Sequence, residues 1–327
     1  MRRNHCGIQG VSGTEISMIV SVNPNTCIDR TLVVPEFVLN KTIRATKFAL
    51  GMGGKAADAS WILGEYGIPS LTLGFAAGAS GRQMEQMLQD RGAQTDFTWV
   101  EGETRVHTII VMEDGSGQST FAVPTLIVKP GHVVDLETRY SRALDQASCV
   151  VVGGTLPPDV PFDLYTRLVK EARMKSIPVA LDASGQSLRA GLSGRPTVIK
   201  PNRIELEELV GRSLTSLDEI YAAGKNIQQE YGCSLVITLG QDGTLAILPD
   251  AAYQIPILPV KVVSTAGAGD GMLAGLAAAL SEGRPLEDGL RLGTAMAAAV
   301  CMQLGTADCR KEDIENLLPQ VQILSFA

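Results

Sequence analysis

Hydrophobic and polar positions follow two rhythms along this chain. Short, nearly uninterrupted apolar runs rich in β-branched residues occur at Met18 to Val22, Ser70 to Phe75, Cys149 to Val152, Pro178 to Asp182, Val198 to Lys200 and Leu235 to Thr238. Helix-like segments separate them, near Lys55 to Gly64, Arg82 to Arg91, Pro161 to Lys175, Arg203 to Leu209, Asp218 to Tyr231, Asp270 to Ser281 and Leu286 to Gln303. Strands without polar alternation are buried on both faces, so their alternation with helices predicts a mainly parallel sheet between two helical layers. The fold class is therefore α/β. No repeat or low-complexity linker divides the chain, which reads as one main domain over residues 18–327.

Two segments break this rhythm. Asp29 to Phe48 and Val106 to Val123 alternate polar and apolar residues, and the loop Glu113 to Gly117 turns the second into a hairpin. Together, at about 29–48 and 106–123, they form a small β-sheet lid. Such a flap closes over a substrate and excludes water, or else is an edge hairpin without a role.

Composition narrows the classes. With 45% hydrophobic and 19% charged residues the 327-residue chain is not a disordered one. A net charge of -7 and only 5% aromatics argue against a nucleic-acid partner or an anionic membrane surface. Six cysteines and three histidines without a CxxC pair do not make a zinc-finger or disulfide framework, and read as reduced, buried thiols of a cytoplasmic protein. The longest charge-free stretches, Tyr66 to Gly81 and Leu292 to Ala307, run 16 residues, too short for a transmembrane helix. Residues 1–17 have no apolar core of a signal peptide, and read as a disordered extension or the product of an upstream start codon, with folding beginning at Met18.

The strongest chemical signal is Ser264-Thr265-Ala266-Gly267-Ala268-Gly269-Asp270-Gly271 ahead of a helix of small residues. Glycines at a helix N-terminus expose backbone N–H groups and make an anion hole. An acidic residue there repels an anion, but it can accept a proton from a hydroxyl attacking that anion. Asp270 is thus a candidate base, or a helix cap. A second cluster, Gly51-Met52-Gly53-Gly54-Lys55-Ala56, formally matches a dinucleotide fingerprint, but it does not directly follow the first strand and no ribose-binding acid follows it. It reads better as close backbone approach to a hydroxyl-rich ligand, or as a plain tight turn. Gly153-Gly154-Thr155-Leu156-Pro157, Lys200-Pro201-Asn202-Arg203-Ile204-Glu205 and Thr238-Leu239-Gly240-Gln241-Asp242-Gly243 all follow strands, where α/β ligand sites form.

In that order, with Asn23-Pro24 and Asp29 at the front, these motifs resemble the PfkB (ribokinase-like) carbohydrate kinases, within them the branch of 1-phosphofructokinase, tagatose-6-phosphate kinase and the minor 6-phosphofructokinase. The resemblance runs from about Met18 to the C-terminus. It implies a ribokinase-like α/β/α body with a β lid, phosphoryl transfer from ATP with Mg²⁺ to a sugar hydroxyl, and a homodimer through the lid. Asp270 matches the family's base, and Gly267, Ala268 and Gly269 its anion hole. Lys200, Asn202, Thr238, Gly240, Gly243 and Ser264 match nucleotide contacts. Asn202 and Glu205 match the element that organises the metal and its waters. Asp29, Gly53 and Gly54 match sugar contacts, and Lys41 and Arg105 fall where phosphosugar kinases carry basic residues. Lys55 matches by position without an assigned role.

The departures lie on the sugar side. Where the family reads GGKGxN this chain has Gly53-Gly54-Lys55-Ala56-Ala57-Asp58, and Pro124-Thr125 replaces a usual glycine near the hairpin. The expected acceptor is a phosphorylated ketohexose. An unphosphorylated sugar or nucleoside, a binding-only descendant of the family, and a dinucleotide-dependent oxidoreductase are the alternatives.

Overall fold

A computed structural model of the chain describes residues 17–326. The expected extension over 1–17 lies outside them except for Ser17. One large sheet runs through the body, in the order Leu324–Ser325, Ala252–Ile255, Thr244–Ile247, Ser234–Thr238, Val198–Ile199, Val179–Asp182, Ala147–Gly153, Met18–Asn23, Ser70–Ala76 and Gln94–Thr95. From Ser234–Thr238 to Gln94–Thr95 the pairs are parallel, and the strands beyond Ser234–Thr238 are antiparallel.

Parallel strands place all their carboxyl ends on one edge. Asn23, Gly153, Asp182, Lys200 and Thr238 therefore share one rim of the sheet. Each central strand is apolar on both faces because each face has its own core. Ile19, Val151 and Ala180 pack on one side with helices Lys55–Tyr66, Ala268–Ser281 and Leu286–Cys301. Val20, Val150 and Leu181 pack on the other with Pro130–Ala143, Asp163–Met174 and Leu217–Tyr231. The three-layer α/β/α expectation is met. The small residues of Ala268–Ser281 and Leu286–Cys301 let those helices pack backbone to backbone: a Cβ on Gly275 would stand 2.2 Å from the Gly293 nitrogen.

The two segments that break the α/β rhythm join in one separate four-stranded sheet, ordered Lys47–Gly53, Cys27–Val34, Arg105–Met112 and Gln118–Phe121. Its middle pair is parallel, with Cys27 opposite Arg105 and Asp29 opposite His107. The hairpin is present, pairing Thr108 with Phe121 and Val111 with Gln118.

Candidate active site

The glycine-rich turn before helix Ala268–Ser281 is built against the chain that follows Leu286–Cys301. Gly267 has φ 83°, and a Cβ there would meet the Ala307 nitrogen at 2.4 Å, so the turn requires glycine on two counts. Buried Ser264 holds it by accepting the Ala266 N–H at 3.2 Å. The amides of Ala268 and Asp270 turn back onto the Thr265 and Gly267 carbonyls at 3.3 and 3.0 Å. Asp270 is the third residue of the helix, and its carboxylate makes no capping bond, which removes support for the cap reading.

Asp270 faces a second carboxyl. Asp58, buried on the first turn of helix Lys55–Tyr66, stands close enough for the two carboxyls to perturb each other, and its buried Oδ1 has no hydrogen-bond partner. Burial first, then the charges of Asp270 and Asp29, raises Asp58 well above the ordinary carboxylate range. Burial, with the charge of Asp182, pushes Asp270 up to about 7, while Lys200 and Lys55 pull the other way. Two carboxyls this close cannot both ionise cheaply, so Asp58 keeps its proton when Asp270 ionises.

A buried ionic network stands behind the pair. Asp182, at the end of its strand, takes Lys55 at 2.6 Å and Lys200 at 2.7 Å. Burial would raise Asp182, but the two ammonium groups outweigh it and hold this carboxyl below its ordinary value. Lys55 also reaches Glu205 at 2.7 Å, and although burial would lower its pKa the two carboxylates raise it. Asn202 and Glu205 cap helix Arg203–Val210 reciprocally: the Glu205 N–H donates to Asn202 Oδ1, and the Asn202 N–H to Glu205 Oε2, both at 2.9 Å. Lys200 Nζ lies 3.2 Å from where a Gly269 Cβ would be, so its ammonium borders the anion-hole turn.

Next to that turn opens a cavity of about 440 Å³. Asn202, Thr238, Gly240, Gly243, Ala268 and Gly269 line it, with an apolar wall that includes Leu258, Val260 and Ala298. A largely apolar cavity bordered by a helix N-terminus suits a nucleoside whose phosphates reach that terminus.

On the other side of Asp270 stand the residues expected to meet a sugar. Gly54 (φ 104°) and Gly154 (φ 88°) pack on Asn23, whose buried side-chain nitrogen and oxygen have no partner. Gly53 lies under Cys27 and Asp29. Arg105 is half-buried; its terminal nitrogen donates to the Asn25 carbonyl, and its buried Nε has no partner. Lys41 is on the exposed segment between strands Cys27–Val34 and Lys47–Gly53, with no ion pair among the described residues.

A family model described as pfkB family carbohydrate kinase matches residues 18–313. The chain belongs to this family. It is similar to the 1-phosphofructokinase of Bacillus subtilis (strain 168), 29% identical over 94% of this chain and 99% of that one. The ATP-dependent 6-phosphofructokinase isozyme 2 of Escherichia coli (strain K12) is 27% identical over 89% and 94%. The crystal structure of the latter organism's phosphofructokinase-2 in complex with substrates and products aligns with a TM-score of 0.86, at 26% identity, over 93% of this chain and 99% of that one. The protein is thus a carbohydrate kinase with a ribokinase-like fold, and ATP is the phosphoryl donor its family implies.

Several residues that surround the kinase site carry no sequence motif. Asp182 closes a four-residue strand, and nothing in Val179-Ala180-Leu181-Asp182 separates it from any buried strand end. His107 and Cys27 meet Asp29 through strand register alone. Asp58 was visible only as a departure from the family pattern.

Proposed function

We propose that this kinase transfers the γ-phosphoryl group of ATP to a hydroxyl of a phosphorylated ketohexose, with Asp270 as general base. The observation that carries the reading is a buried carboxylate poised at about 7 on the first turn of a helix N-terminus, between an apolar cavity and a cluster of polar groups. A base titrating near the working pH is ionised often enough to act and basic enough to take a proton. Fructose 1-phosphate and fructose 6-phosphate are the acceptors suggested by the two relatives named above, and tagatose 6-phosphate by the branch that the motifs resemble.

In this mechanism the sugar hydroxyl gives its proton to Asp270 as its oxygen attacks the terminal phosphorus. The Gly267 and Gly269 amides, which the turn's own carbonyls do not take, and the Lys200 ammonium receive the charge that develops on the transferred group. Lys200, Asn202, Thr238, Gly240, Gly243 and Ser264 hold the nucleotide. Asp29, Gly53 and Gly54 hold the sugar hydroxyls, and Arg105 the acceptor's phosphate, with Lys41 reaching it only if its segment folds inward. Mg²⁺, when bound, neutralises phosphate charge. Both Glu205 oxygens already accept a hydrogen bond, from Lys55 and from the Asn202 N–H, so Glu205 and Asn202 fit such an ion through its waters.

The four-stranded sheet serves as the lid that shields this chemistry from water. Phe48 and Phe121 on it are exposed, as is Phe37, whose ring is 6.4 Å from that of Phe121; this apolar patch supports a homodimer formed through the lid. An ADP-release assay over the three phosphosugars and their neutral parents tests the proposal. One phosphosugar should exceed its parent in kcat/KM by about 100-fold or more. Preference for a neutral sugar or nucleoside, or ADP release with none, overturns it.

A further inference from the structure

Cys27, Asp29 and His107 form a second chemical constellation, at the mouth of the proposed sugar site. Cys27 and Asp29 are two residues apart on one strand and so project from the same face. His107 lies opposite Asp29 on the neighbouring strand. Gly53, opposite Cys27, leaves the space: a Cβ there would be 2.4 Å from the Cys27 sulfur and 2.5 Å from Asp29 Oδ1.

The three donor atoms converge. Sγ of Cys27 is 3.5 Å from Nδ1 of His107 and 3.7 Å from Oδ1 of Asp29, and Nδ1 and Oδ1 are 3.1 Å apart. In a tetrahedral zinc site with ordinary bond lengths, the sulfur–nitrogen and sulfur–oxygen edges are about 3.5 Å and the nitrogen–oxygen edge about 3.3 Å. The observed triangle matches one face of that tetrahedron. Without a cation, thiol and imidazole compete for the same carboxylate oxygen, and the buried Nε2 of His107 has no partner.

We propose that Cys27, Asp29 and His107 bind a borderline-soft divalent cation, Zn²⁺ foremost, with the fourth position open, and that its occupation blocks the sugar acceptor. Burial and then the charge of Asp29 hold the Cys27 thiol in its neutral form, so binding displaces one proton from sulfur to solvent and leaves a thiolate ligand. Thiolate, carboxylate and neutral imidazole together balance the double positive charge. Mg²⁺ prefers oxygen donors and does not compete here, so the site is separate from the one beside Glu205. The blocking part rests on the reading of Asp29 as a sugar contact, because a carboxylate oxygen bound to the cation no longer accepts a hydroxyl.

The test uses Co²⁺ as a spectroscopic substitute on the full chain, followed by Zn²⁺ competition. One equivalent should give a thiolate-to-cobalt charge-transfer band with tetrahedral visible absorption, and Zn²⁺ should abolish it. The band should vanish in Cys27→Ser. In His107→Gln, which changes the most exposed of the three, affinity should fall by roughly 100-fold or more, beyond what loss of an outer-shell partner costs. Absence of the band, or its persistence in Cys27→Ser, overturns the proposal; if the serine variant does not fold, unchanged affinity in His107→Gln does so. Saturating phosphosugar should suppress the band. A cobalt band indifferent to every sugar that the enzyme phosphorylates upholds the cation site and refutes the sugar role of Asp29.

Discussion

Asp58 and Asp270 bring two buried carboxyls together between helices Lys55–Tyr66 and Ala268–Ser281. A proton kept on Asp58 lets Asp270 ionise beside a neutral neighbour. Two limbs then follow for kcat/KM against pH. Activity should rise through about 7 as Asp270 ionises, and fall at higher pH when Asp58, raised by burial and by the charge of Asp270, ionises in turn. Asp58→Asn keeps a donor that cannot ionise. Its profile should retain the rising limb and lose the falling one; an unchanged falling limb would show that Asp58 does not set it.

Asp270→Asn keeps the size of the side chain and the turn but removes the base. The kcat should fall by about 10² to 10⁴, with nucleotide affinity by calorimetry within a few-fold of the parent. A kcat near the parent's would transfer the role of base elsewhere.

Lys55 bridges Asp182 and Glu205, and removing it leaves buried carboxylates with fewer counter-charges. Lys55→Met should destabilise the fold by about 3 kcal/mol, the lower end of the range for breaking a buried pair, because its side chain keeps 27% exposure. Asp182 is held below its ordinary pKa by Lys200 and Lys55 against the effect of burial. A lowered folded pKa contributes stability above the unfolded value and loses it as pH falls through the folded one. The deficit of the variant in urea unfolding should therefore be largest at neutral pH and shrink toward acid pH. A deficit independent of pH would sever the link to Asp182.

The central strands were legible because each is buried on both faces, which leaves an unbroken apolar run such as Cys149 to Val152. Helix Pro130–Ala143 escaped notice: its core stripe of Val133, Leu136, Tyr140 and Ala143 is diluted by charge, and its start, Pro130-Gly131, reads as a turn. Helices Gly185–Leu192 and Lys311–Leu317 and the antiparallel strands Thr244–Ile247 and Ala252–Ile255 are too short for periodicity to mark. In the site, turns that need glycine announce themselves, as Gly267 does. A carboxylate that needs only a place at a strand end, such as Asp182, does not. The meeting of Asp29 with His107, 78 positions apart in the numbering, depends on a parallel register that no local pattern encodes.

Arg105 decides between a phosphorylated and a neutral acceptor. One terminal nitrogen donates to the Asn25 carbonyl and so aims the guanidinium, while its buried Nε, without a partner, is left for an anion. A guanidinium grips phosphate through paired donors, each charge-assisted bond contributing about 1.5–3 kcal/mol. Arg105→Ala should therefore lower kcat/KM for the phosphosugar by about 10- to 100-fold, through KM more than kcat if the grip is equal in ground and transition states. For the neutral parent sugar, which offers no phosphate, the change should stay within about threefold. An equal loss with both acceptors would mean that Arg105 shapes the Asn25 turn and leaves the phosphate to other groups, because a phosphate contact has to act on the phosphorylated acceptor alone.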